Sequence, residues 1–149
     1  MKFKPQTEEE LQRNKLRPKG NYPFTVSESA EQASKSAKNP GRMMVALKLL
    51  IHGDDGDFTQ NDYFADWFSA HKLRHFAETT GKISAYEKGE LDFSDNRQQG
   101  ARGYLHLGEG KDKNGDIRNE VKDYVTEADY KESQKESEPA PQDDSDVPF

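Results

Sequence analysis

The chain has 149 residues, a formal charge of −6, 34% charged residues and a mean hydropathy of −1.16. Its 25 Leu, Ile, Val and Phe residues fall below the roughly one in five at which disorder becomes an option, so one thin-cored domain is expected and two full cores are excluded. No apolar run approaches the ~18 residues of a membrane span, Met1-Lys2-Phe3-Lys4-Pro5 offers no apolar signal region, and the lack of Cys excludes disulfides and thiolate chemistry.

The first 19 residues are polar. Thr7 with Glu10 fits a capping box and Glu9 with Arg13 a helical i,i+4 pair, which predicts a short helix over 8–15, ended by Pro18 and Gly20. From Gly20 the period becomes two. Tyr22, Phe24 and Val26 alternate with Pro23, Thr25 and Ser27, a half-buried strand in which Pro23 points to an edge position. Residues 34–42 read as a loop by composition. Residues 43–51 hold only Lys48 as a polar residue and read as the central, most buried strand; 52–57 is a turn and 58–64 a third strand.

Ser69 is placed to cap a helix over 70–80, stopped by Gly81, with Leu73, Phe76 and Ala77 as its buried stripe. Residues 82–100 show no period, although Ile83, Tyr86, Leu91 and Phe93 are available to a core. A hairpin follows, 103–108 and 117–125, around Asn114-Gly115, a pair that accepts positive φ at both turn positions. Between Thr126 and Val147 there is no Leu, Ile, Val, Met or Phe, so 127–149 is expected to be a disordered arm. A mainly β chain of five short strands with one helix after the third suits an OB-like, partly open barrel over 20–126. The same alternation permits a sandwich-like α+β domain.

Charge is divided along the chain. Residues 127–149 hold eight acids against Lys131 and Lys135, whereas residues 1–48 hold ten bases against five acids. A basic folded half and an acidic tether are compatible with a nucleic-acid binder of acidic net charge. Single-strand binding needs aromatic faces for bases and cations for phosphates. The candidates are Tyr22, Trp67 and Tyr104 for stacking. Lys35, Lys38 and Arg42 in the loop, with Lys48, Lys72, Arg74 and Arg102, are candidates for phosphate. In so aliphatic-poor a chain the same aromatics equally serve as core, and the loop as a plain solvated turn.

Catalytic and metal readings are weaker. His71 and His75 stand at i,i+4 without the Glu of a His-Glu-x-x-His motif. Asp54, Asp55 and Asp57 resemble a cation loop only in composition. Asp112, Asn114 and Asp116 alternate as in an EF-hand, but the glycine is misplaced and Asp123 stands where the bidentate Glu belongs. No phosphate loop or Gly-x-Ser-x-Gly is present. No enzyme activity, cofactor or metal is expected.

The sequence ends Asp143-Asp144-Ser145-Asp146-Val147-Pro148-Phe149. A generic acidic tail is a solubiliser. Here an acidic run meets an apolar residue, a Pro and a Phe carrying both ring and carboxylate, a compact ligand for an apolar pocket with a basic rim. Asp143, Asp144, Asp146, Val147, Pro148 and Phe149 resemble the tip of bacterial single-stranded DNA-binding proteins, with Ser145 a departure. Gly20 to Val26, Ser34-Lys35-Ser36, Met43-Met44-Val45, Trp67 and 73–77 look more like a phage-encoded group of small DNA-metabolism proteins.

The two resemblances imply a phage single-stranded DNA-binding protein in the bacterial cytoplasm that recruits replication, recombination and repair enzymes through its tip. The expected partners are single-stranded DNA, those enzymes and, optionally, further copies of the chain, with no membrane. The alternative is an adaptor that borrows the tip and binds little DNA.

Overall fold

The computed structural model describes residues 1–8, 11, 15–35, 38 and 40–137. Period-two patterning becomes five antiparallel strands: β1 (Gly20–Ala33), β2 (Met43–Gly53), β3 (Gly56–Phe64), β4 (Arg102–Lys111) and β5 (Ile117–Val125). Their order is β3-β2-β1-β4-β5. Helix α1 (Ala70–Thr79) follows the third strand, α2 (Ile83–Glu87) and a 3-10 turn (Ser94–Asn96) lead to β4, and α3 (Glu127–Ser137) follows β5. The chain is mainly β, an open five-stranded sheet consistent with an OB-like fold. Among the described residues no helix is long and apolar enough to cross a membrane.

The sheet curls until its two edge strands approach. Tyr124 on β5 donates its hydroxyl to Asp62 Oδ2 on β3 at 2.7 Å, and Gln60 Nε2 donates to the Asn119 carbonyl at 3.2 Å. Side chains therefore close the seam where no backbone ladder runs. The interior is aromatic: Phe24, Phe64, Phe76, Phe93 and Tyr124 are buried and meet at centroid distances of 5.3–6.2 Å. Large rings let a chain poor in aliphatics fill a core, since each removes more surface from water than a Val or Leu.

Several expectations need correction. Pro23 is on the central strand, not an edge; the β1–β2 ladder begins at Phe24↔Ile51, so its missing N–H removes no bond from that ladder. The run 43–51 is not the central strand: β2 lies between β3 and β1, with Val45, Leu47, Leu49 and Ile51 facing the core and Lys48 exposed. Ser69 does not cap α1 through its side chain; it sits at φ 52°, ψ 45° and only its carbonyl accepts from Lys72 N. The far end of α1 is as expected. Gly81, at φ 77°, lets its own N–H reach the Glu78 carbonyl and the Lys82 N–H reach Ala77, a Schellman stop that needs the left-handed region.

In the β4–β5 turn only Gly115 has positive φ, not Asn114. Asp112 organises that loop instead, its Oδ1 accepting from the backbone of Asn114 and Asp116. The expected disorder does not hold for 127–137. Thr126 Oγ1 accepts from Asp129 N, and α3 continues to Ser137. The remainder, 138–149 with the whole tip, lies outside the described residues. Of the predicted N-terminal helix only Glu8, Leu11 and residue 15 are described, with Leu11 N donating to the Thr7 carbonyl at 3.0 Å.

Candidate nucleic-acid interface

Alternation assigns each strand residue a face. With Val45, Leu47, Leu49 and Ile51 inside, β2 turns Ala46 and Lys48 outward, and β3 places Tyr63 opposite Ala46. The alanine is too short to cover the phenol, and Tyr63 remains 43% exposed. Beyond β3 the chain turns at Ala65, whose N–H reaches the Phe68 carbonyl, and presents Trp67 and Phe68. Trp67 Nε1 donates to the Met43 carbonyl at 2.9 Å, which ties this turn to the start of β2. Phe68 is 46% exposed, with its ring 6.0 Å from the indole.

The cationic loop joins the same end. Ser34 N donates to the Arg42 carbonyl and Gly41 N to the Ser34 carbonyl, closing the neck of a loop that carries Lys35 and Lys38, both exposed. The Arg42 guanidinium lies 4.9 Å from the Trp67 ring centroid, a cation–π contact that holds a charge beside an aromatic face. The loop 34–42 carries three cations and no acid, and through Arg42 it meets Trp67, which is tied to the exposed Met43 and neighbours Phe68. Tyr63 and Met43 were not among the sequence candidates. Tyr63 was readable, being out of phase with Phe58 and Phe64.

The other candidates are dispersed. Lys72 Nζ is 2.9 Å from Asp62, and both side chains are nearly buried, so its charge serves the interior and not a phosphate. Burial pushes the Asp62 carboxyl up against the opposing pull of Lys72, and burial beside Asp62 pushes the Tyr124 phenol well up. Lys48 faces Glu28 at 3.9 Å, and Arg74 lies over Tyr86 at 5.8 Å. Tyr22 is half-buried edge-on against Phe58, its hydroxyl donating to the Pro18 carbonyl at 2.5 Å. It is no open platform. Arg102 is exposed opposite Thr25. Tyr104, on the same face, is stacked by Tyr130 of α3.

Around the opposite end, residues 15–19 run past the seam. The Asn119 side chain accepts from Arg17 N at 2.6 Å and donates to the Arg17 carbonyl at 3.0 Å. Arg17 lies 4.8 Å over Phe58. Asp123 engages His75 Nδ1 at 2.8 Å with His71 alongside. Among the described residues no three His, Asp or Glu side chains gather as metal ligands. Neither a scan against protein-family models nor a search of curated proteins found a match to this chain.

Proposed function

We propose that this protein binds single-stranded DNA without strong sequence preference and without catalysis. We further propose that its tip recruits replication, recombination and repair enzymes of a phage or its bacterial host in the cytoplasm. One observation carries the DNA half: Arg42 lies on Trp67, with Phe68 alongside and Lys35 and Lys38 exposed on the same loop, at one end of an OB-like sheet. Rings accept any base by stacking, and a Gly/Pro/Ser-rich loop lets cations follow a flexible backbone. The acidic tip that ends in Val147-Pro148-Phe149 supports the recruiting half.

The test is titration of oligo-dT by fluorescence anisotropy at two salt concentrations. Reversing Lys35, Lys38 and Arg42 to Glu weakens binding and flattens the salt slope by about 0.7 for each phosphate no longer neutralised. Phe68→Ala costs about fivefold or more, the lower end of one stacked base. Normal affinity and slope in the triple variant would remove the loop from the interface. The internal pairing of Lys48 and Lys72 favours the competing reading, a tip-bearing adaptor. Wild-type protein that ignores oligo-dT at low salt decides for it.

A further inference from the structure

Tyr104 stands on the outer face of β4 between Arg102 and His106, two positions away on either side, and its ring is already occupied. Tyr130 of α3 lies on it at 4.6 Å between centroids and 25° between planes, the separation and tilt of an offset stack. A base entering this face would adopt the same arrangement. Of residues 127–135, only Tyr130 and Ser133 are even half-buried. Ser133 Oγ takes one hydrogen bond from Asn21 Nδ2 at 3.2 Å, while Asn21 Oδ1 meets His106 Nδ1 at 2.8 Å. A helix with so little buried apolar surface opens at low cost.

Charge points the same way. Glu127, Asp129 and Glu132 on α3 outnumber Lys131 and Lys135 over the described side chains, so the helix shares the sign of a phosphate backbone and repels one that arrives. Beside Tyr130 a cleft of about 430 Å³ is lined by Lys15, Arg17 and Lys19 against Asp54 and Asp55, a small excess of cations that a strand on this face would meet. We propose that Tyr104 is a second nucleobase-stacking site, held shut by α3 with Tyr130 standing in for the base. Single-stranded DNA displaces it. This rests on the single-strand-binding reading above. Release would let the 11 residues of α3 extend from ~1.5 Å per residue in the helix to ~3.4 Å.

The experiment compares wild type, Tyr130→Ala, Tyr104→Ala and the double variant in oligo-dT titrations, with hydrogen exchange of 127–137 in wild type with and without DNA. Tyr130→Ala should bind about fivefold tighter or more, the lower end of a stacking contribution. Tyr104→Ala should cancel that gain in the double variant, and α3 amides should lose protection on adding DNA. Binding by wild type with no gain in Tyr130→Ala, or with α3 equally protected in the complex, overturns the masked site and leaves the first interface standing. No oligo-dT binding by any of the four overturns both.

Discussion

Asp62 is the residue on which the seam turns. Its carboxylate is nearly buried between Lys72 Nζ and the Tyr124 hydroxyl, so removing one donor leaves a buried charge short of a partner. Tyr124→Phe should therefore cost about 1–3 kcal/mol at neutral pH, measured by urea unfolding. The same phenol gives an alkaline signature. Its folded pKa is raised well above 10.0, first by burial and then by Asp62. Its contribution is full below the unfolded value near 10 and is lost as pH rises through the folded one. Wild type should lose stability above roughly pH 10 with a slope steeper than Tyr124→Phe by ~1.4 kcal/mol per pH unit, one proton's worth. Equal slopes would mean that the phenol ionises freely in the folded state.

At the scale of elements, α1 sits unusually close to β4. A Cβ at Gly103 would lie 2.7 Å from Thr79 Cγ2, 2.9 Å from Thr79 Oγ1 and 3.2 Å from Phe24 Cζ. Thr79 Oγ1 is also the acceptor for Tyr104 N. Gly103→Ala should lift the helix and destabilise the fold by about 1–3 kcal/mol in the same assay, the cost of overpacking. Strands and the Gly81 stop were legible because they depend on local period and local φ. The central place of β1 was not, because sheet order is set by pairings such as Gly20↔Leu107, far apart in sequence. Helix α3 was missed by looking for aliphatic residues. Its signals were Thr126 with Asp129, Glu127 with Lys131, and a lone anchoring tyrosine. At the interface, composition revealed the loop cations, but which aromatics faced out depended on register. Lys72 gave no sign that a carboxylate ten residues earlier would be buried against it.

Across the whole molecule, charge is divided. The first 48 residues carry an excess of five bases and the last 23 an excess of six acids, which under the proposed function would divide phosphate contact from partner capture. Phe149→Ala removes a ring and no charge. It should cost about 2 kcal/mol or more in docking, the scale of a hot spot, without changing the oligo-dT titration. Pull-down of host replication and repair enzymes beside that titration is the check. Capture of those enzymes at wild-type levels would reduce the tail to a solubiliser.

The Asn119 amide that grips Arg17 has a consequence for the order of events on the ribosome. The two residues are 102 positions apart, so this clasp cannot close until β5 has emerged. At ~5–20 residues per second that interval is about 5–20 seconds. Over that time Arg17 can reach Phe58 of β3 but not the amide that fixes its backbone. The segment ahead of β1 is therefore locked only after β5 is made.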